Sequence, residues 1–303
     1  MVNGSFMSRV NTVGVPGGKM GLAMQLIFTP FIWRMMARRQ RAFGGRLGGA
    51  FEGKRYGEPG EMLRALIWDV DGTVAETERD GHCVAFNLAF EEAGLPVRWS
   101  PDYYGPLLHV AGGRDRILHD MAQWRDAPAT PAERAALARA LHLRKNALYV
   151  ERVAAGALSP RPGVLRLMDE AGAAGVKLAL ATTTSTSNVK ALFHNFFGDD
   201  WRDRFAAVVC AEDAPQLKPD PQVYLQVLQA LGLEPGACFA LEDTPNGLKA
   251  AQAAGIACGI TRSAFFVHDR YPGAAWVQAD LDTPRPMTLD RIRESLSVKI
   301  ATP

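Results

Sequence analysis

Asp69 and Asp71 stand one residue apart in the stretch LIWDVDGTVAET, residues 66–77. Two carboxylates that close repel each other, and a chain keeps such a pair where a cation or a proton lies between them. The plain alternative is a strand end closed by turn-favouring Asp and Gly. Three further polar groups follow apolar runs in the same way. Thr182, Thr183 and Thr184 follow KLALA, Lys218 stands before Pro219 in the loop after FAAVVC (205–210), and Glu242-Asp243 follows CFAL.

These groups need elements to position them. ALIW, before Asp69, reads as a short strand apolar on both faces, as central strands of parallel sheets are. From about residue 79 to 158 the pattern is helical, with HCVAFNLAFEEAGL (82–95) and AERAALARALHLRKNALYVERV (132–153) as helix-forming runs. The tripeptide RPG (161–163) breaks this, with Pro162 suited to a helix start. Strands at 176–183, 205–210, 238–243 and 256–260 then alternate with helices at 187–197, 221–232 and 246–255. Strand and helix alternating through short connections predict βαβ units and a parallel sheet. The expectation is therefore an α/β protein with a Rossmann-like parallel sheet core and an inserted α-helical cap domain. The core takes residues 62–78 and 159–303, and the cap 79–158. Ligands of such sheets bind beyond the carboxyl ends of the strands. Carboxylates, hydroxyls and one lysine would then converge on one crevice, which turn chemistry does not explain.

As an ordered set, DVDGT (69–73), the Thr182 strand end, Lys218 and Glu242-Asp243 resemble the four motifs of haloacid dehalogenase superfamily phosphatases. The resemblance covers roughly residues 62–262. AETERDGHCVAFNLAF (75–90), VAGGRDRI (110–117), RPGV (161–164), LATTTS (180–185) and EDTPNGLKAA (242–251) are similar to the CbbY-like branch, near the beta-phosphoglucomutase-like enzymes. That resemblance implies a Mg²⁺-dependent phosphoric monoester hydrolase acting on a sugar phosphate. A sugar bisphosphate such as xylulose-1,5-bisphosphate is the substrate the branch implies.

The chemistry of the residues agrees with that implication. A carboxylate is a credible nucleophile toward phosphorus when a cation neutralises both it and the phosphoryl oxygens. Asp69 would attack to give an aspartyl-phosphate, and Asp71 would protonate the leaving alkoxide and then deprotonate water. Mg²⁺, a hard ion that takes a few carboxylates with water and phosphate, is the expected metal. Its protein ligands would be Asp69, the main-chain carbonyl of Asp71, Asp243, and Glu242 directly or through water. Lys218 would offset the crowded negative charge, while Thr182 and the amide of Thr183 would hold phosphoryl oxygens near a helix start.

Cap residues would meet the rest of the substrate. In the branch the counterparts of Glu78 and His82 face it, the plain alternative being a solvated helix start. Gly112, Gly113 and Arg114 would bring backbone and a guanidinium to a distal phosphate. The branch usually carries Lys where this chain has Arg114, and Arg116 is the alternative cation. Arg161 is expected to be structural, as are Trp68 and Pro245, and the other histidines show no metal-ligand spacing.

Composition bounds what remains. At 303 residues and 48% hydrophobic content, the chain can bury one large core or two modest ones. Its four cysteines form no CxxC pair and read as small buried residues of a reducing compartment, Cys83 as a helix filler. Residues 1–61 hold nine Lys or Arg against three Glu, whereas the rest hold 25 basic and 29 acidic side chains. The body is thus mildly acidic and carries no electrostatic footprint for nucleic acid.

The first 61 residues include GLAMQLIFTPFIW (21–33), too short to span a bilayer and interrupted by Pro30. They read as a transit-like leader, a membrane-surface helix or, the favoured reading, translated upstream sequence expected to be disordered. No membrane association is expected for residues 62–303. The chain is expected to be a cytoplasmic monomer, or organellar if the extension is a transit peptide. A phosphosugar mutase and a non-catalytic scaffold are the competing functions. The mutase needs the same acids plus a cap that shields the phospho-enzyme from water, and the scaffold predicts damaged motif positions. None of the central ones is damaged.

Overall fold

The run ALIW forms β1, Ala65–Trp68, with all four side chains buried. In the computed structural model, which describes residues 63–300, this strand lies inside a six-stranded sheet. Its partners are β2 (Lys177–Ala181), β3 (Ala207–Val209), β4 (Cys238–Glu242), β5 (Ala257–Thr261) and β6 (Trp276–Gln278), and every pairing is parallel. The order is β3-β2-β1-β4-β5-β6. The chain therefore runs outward on one side of β1 and resumes on the other. That switch opens a crevice at the carboxyl ends of β1 and its two neighbours. The residue-1–61 extension lies outside the described residues.

Alternation along β1 distributes its side chains between two layers. Ala65 and Ile67 face one core, built with Tyr224, Val227 and Leu248. Leu66 and Trp68 face the other, with Leu167, Phe193 and Ile292. Trp68 is wholly buried and its indole N–H has no acceptor, so it serves packing. The helices bearing these contacts complete both layers.

Between β1 and β2 the chain forms a π-helical turn at Glu78–His82 and then α1 (Cys83–Glu92), α2 (Pro101–Leu107), α3 (Gly113–Met121), α4 (Pro131–Ala154) and α5 (Val164–Ala173). The start of α4 is fixed by a reciprocal capping box between Thr130 and Glu133, with Pro131 at the first helical position. Helix α5 begins at Val164, after an N-cap at Gly163, so Pro162 precedes the helix and does not open it. The reason is local: the amide of Arg161 donates to the carbonyl of Val74, keeping this stretch beside the outgoing chain. Ala75 and Pro160 form a single bridge there, where the chain leaves and rejoins the sheet.

The second half contains α6 (Thr186–Phe197), α7 (Gln222–Leu231), α8 (Pro245–Ala253) and α9 (Leu289–Ile300). Ser185 caps α6 by accepting from the amide of Asn188, and Thr244 caps α8 by accepting from that of Gly247. Pro245 occupies the first position of α8, where its missing N–H costs nothing. The strand expected at 205–210 is only three residues long, because β3 is an edge strand paired with β2 alone.

Candidate active site

Asp69 follows β1 directly, and its amide donates to the carbonyl of Leu241 on β4. The ladder thus holds the first candidate acid beside the end of the strand bearing Glu242. Three residues on, Gly72 adopts φ +83°, and a Cβ there would fall inside the Asp243 carboxylate. Only glycine lets the turn pass so close to the second acidic pair.

Lys218 enters from the loop after β3. Its buried ammonium donates to Asp69 Oδ1 at 2.6 Å, Glu242 Oε1 at 2.6 Å and the Ala181 carbonyl at 2.8 Å. Three donors meet three acceptors, from the ends of β1, β4 and β2. Tyr224 on α7 donates to the same Glu242 oxygen at 2.6 Å. Burial alone would lower the Lys218 pKa, but the carboxylates of Asp69 and Glu242 outweigh it and hold the ammonium charged.

Charge is nevertheless unbalanced. Asp69, Glu242 and Asp243 each bring an oxygen within 4.8 Å of the others, and all three residues are buried. Burial, reinforced by the charge of Glu242, pushes the Asp69 carboxyl up to about 7 despite Lys218. Burial and the charges of Asp69 and Glu242 likewise push Asp243 well up. The hydrogen bonds on the Asp243 carboxylate come from hydroxyls, Ser263 Oγ at 2.5 Å and Thr73 Oγ1 at 3.5 Å. An all-oxygen cluster with three acids against one ammonium suits a hard divalent cation, which would favour ionisation again.

Asp71 stands in another environment. It accepts from Thr77 Oγ1 at 2.6 Å and lies 3.1 Å from His82 Nε2. Burial opposes its ionisation, but His82 and the Thr77 hydroxyl hold its carboxyl down at about 2. The opening pair is thereby split: one acid shares a lysine with the cluster, and its neighbour faces a histidine from the π-helical turn. The two carboxylates are thereby set apart, and for Asp71 to give a proton its carboxyl would have to be raised by the negative charge of a phosphate bound beside it.

Thr183 lines a cavity of about 90 Å³ together with Asp69, Asp71, Lys218 and Asp243. Thr182 is buried behind it, its hydroxyl accepting from the amide of Thr184. Glu78 and Arg116 line the same cavity. Glu78 accepts from the Tyr104 hydroxyl at 2.5 Å, and Arg116 donates to that hydroxyl at 2.7 Å and to the Leu107 carbonyl at 3.1 Å. The cavity shares Asp71, Glu78, Gly112, Arg116 and Thr183 with a larger cleft of about 490 Å³. Gly113 and Arg114 line only the cleft, where Arg114 is largely exposed and paired with Asp115. The two arginines thus separate: Arg116 is inside, Arg114 at the rim.

Arg161 has no place in either chamber. Its buried guanidinium donates to the carbonyls of Gly72, Thr261, Arg262 and Ala279, and its Nε lies 3.3 Å from Glu76. It anchors the turn after β1, as a structural residue. Sequence reasoning passed over Lys145, which is buried on α4 with its Nζ 2.9 Å from His82 Nδ1. A signal was there: Leu141, Lys145, Leu148 and Tyr149 form one buried helical stripe, and a lysine in such a stripe demands a partner.

The haloacid dehalogenase-like hydrolase family matches residues 63–255. The chain belongs to this family. Among its relatives, the plasmid CbbY protein of Cupriavidus necator is 47% identical over 225 residues, covering 73% of this chain and 87% of that protein. A solved structure of a CbbY mutant from Rhodobacter sphaeroides, in complex with xylulose-(1,5)bisphosphate, is 34% identical with a TM-score of 0.67. The match covers 72% of this chain and 95% of that one. Separately, 42 residues, 14% of the chain, are 74% identical to 14% of the plasmid phosphoribulokinase of Cupriavidus necator. This haloacid dehalogenase-like hydrolase is an enzyme of the phosphatase type. No helix among the described residues is long and apolar enough to cross a membrane.

Proposed function

We propose that this hydrolase removes a phosphoryl group from a sugar bisphosphate, such as xylulose-1,5-bisphosphate, through an aspartyl-phosphate on Asp69. The observation that carries this reading is the position of Asp69 at the back of a chamber that continues past Arg116 into a larger cleft. One phosphate would lie against Asp69, Lys218, Thr182 and Thr183. The sugar and a second phosphate would extend toward Arg116, Glu78, Gly113 and Arg114. The likeness to a CbbY structure holding xylulose-(1,5)bisphosphate supports the same class of substrate.

Asp69 Oδ would attack phosphorus while the ester P–O bond breaks, and Asp71 would give a proton to the departing alkoxide oxygen. Water then attacks the aspartyl-phosphate as Asp71 takes its proton, which restores Asp69 and releases phosphate. Mg²⁺ held by Asp69, Asp243, Glu242 and the Asp71 carbonyl would supply charge neutralisation of the phosphoryl oxygens. Lys218 holds Asp69 and Glu242 at fixed positions throughout.

Residues 79–158 serve, in this reading, as a cap that closes over the substrate. Leu108 and His109 from the cap side meet Phe266 around the chamber. Exclusion of water there would favour the second reading, a phosphosugar mutase. A cytoplasmic monomer is the accompanying expectation.

The test is phosphate release by the full chain from ketose mono- and bisphosphates with Mg²⁺. Stoichiometric phosphate from a bisphosphate is expected. Isomerised sugar phosphate without net release would replace the phosphatase by the mutase.

A further inference from the structure

The loop between β5 and β6, residues 262–275, touches the acidic cluster and the cap at once. At its root Ser263 is buried, and its hydroxyl donates to Asp243 Oδ2 at 2.5 Å. Farther along, the Tyr271 hydroxyl lies 2.7 Å from the main-chain oxygen of Asp243 and 2.9 Å from that of Phe266. Arg161 grips the carbonyls of Thr261 and Arg262, and the amide of Ala264 donates to Glu76. Both flanks of Asp243 are therefore tied to this loop.

The other side of the loop meets the cap. Phe265 packs edge-on against Tyr104 of α2, the ring centres 5.7 Å apart, and Phe266 meets His109 in the same manner at 5.7 Å. Phe265 rests in a notch made by Gly105. A methyl group on Gly105 would lie 3.1 Å from the Phe265 ring, tighter than ordinary contact. A displacement of α2 would have to move Phe265, and Phe265 stands two residues from the hydroxyl that holds Asp243.

We propose that Ser263 is a positioning residue for Asp243, and that its loop couples the seating of the cap, through Phe265, to the grip of the acidic cluster on a divalent cation. The proposal rests on the reading of Asp69, Glu242 and Asp243 as a metal site. Groups that orient a ligating carboxylate affect metal affinity by about 10- to 100-fold when removed. Ser263 occupies one oxygen of Asp243 and so fixes how the other is presented. The contacts of Phe265 with Tyr104 and Gly105 lie on the cap side, so an effect it has on ion binding would travel through the loop.

The experiment is calorimetric titration of the substrate-free full chain with Mg²⁺, which does not depend on which phosphate ester the enzyme takes. Ser263→Ala is expected to weaken binding about ten-fold, and Ser263→Thr, which keeps the hydroxyl, to restore it to within about three-fold. Phe265→Ala is expected to weaken binding about three-fold in the parent and to add nothing in the Ser263→Ala background. Unchanged binding in Ser263→Ala, failure of Ser263→Thr to restore it, or a Phe265→Ala effect of equal size in both backgrounds would overturn the proposal. A parent chain that binds no Mg²⁺ overturns the metal reading itself, and the proposal with it.

Discussion

The ammonium of Lys145 lies 2.9 Å from Nδ1 of His82, a residue 63 positions earlier. An ammonium can only donate, so Nδ1 accepts and the ring proton sits on Nε2, the nitrogen 3.1 Å from Asp71. Burial lowers the Lys145 pKa to about 8, with Glu78 and Asp71 opposing the fall, so the side chain stays mostly charged at neutral pH. A cap helix thereby fixes the tautomer of the histidine that faces the candidate acid–base residue. Lys145→Met keeps the bulk and removes the donor. It is expected to lower kcat for phosphate release by about 10- to 100-fold while far-UV circular dichroism stays that of the parent. An unchanged kcat would remove Lys145 from the proton path.

Gly72 offers a test of how tightly the first turn abuts the second acidic pair. Its φ of +83° strains any other residue, and a side chain would enter the space of Asp243. Gly72→Ala is expected to cost about 1–3 kcal/mol of stability from the backbone alone and to abolish measurable turnover. Thermal denaturation and phosphate release measure the two effects, and a fully active variant would contradict the geometry.

The two arginines of VAGGRDRI should differ in consequence. Arg116 is buried and donates to Tyr104 and to the Leu107 carbonyl, whereas Arg114 is exposed beside Asp115. Arg116→Lys loses the fork that makes both bonds and is expected to raise KM for a sugar bisphosphate about ten-fold or more. Arg114→Ala is expected to change KM by less than about three-fold, in keeping with an exposed ion pair. The reverse order in steady-state kinetics would place the distal phosphate at the rim.

His142, lining the larger cleft, predicts a pH dependence of stability. Burial, with the charges of Lys145 and Arg114, lowers its pKa from 6.5 to about 4. Between those values the unfolded chain binds a proton that the folded chain refuses, so the native state loses ground as pH falls through that window. The contribution is fully present above about pH 6.5. Thermal midpoints at pH 7 and pH 5 should therefore differ more in the parent than in His142→Gln. Equal differences would show that the ring is not held neutral.

Much of this site was legible in the sequence because its acids follow directly from short strands. ALIW before Asp69 and CFAL before Glu242 are buried throughout, and a strand buried on both faces leaves its first polar residues at the mouth of the sheet. What escaped notice depends on contacts far apart in the chain. Ser263 lies 20 residues after Asp243, and its role exists only because β5 returns beside β4. The short edge strand Trp276–Gln278 has a half-exposed pattern that periodicity does not distinguish from loop. The choice between Arg114 and Arg116 turned on where α3 begins. Starting at Gly113, it directs the later arginine beneath Tyr104.

The central claim is that Asp69 carries the phosphoryl group during turnover. The most direct measurement is acid quenching of the full chain during turnover of a sugar bisphosphate with Mg²⁺, followed by mass spectrometry of its peptides. One added phosphoryl group on the peptide containing Asp69 is predicted, absent from Asp69→Asn and from enzyme treated with chelator. Phosphate release that persists in Asp69→Asn at the parent's rate would contradict it.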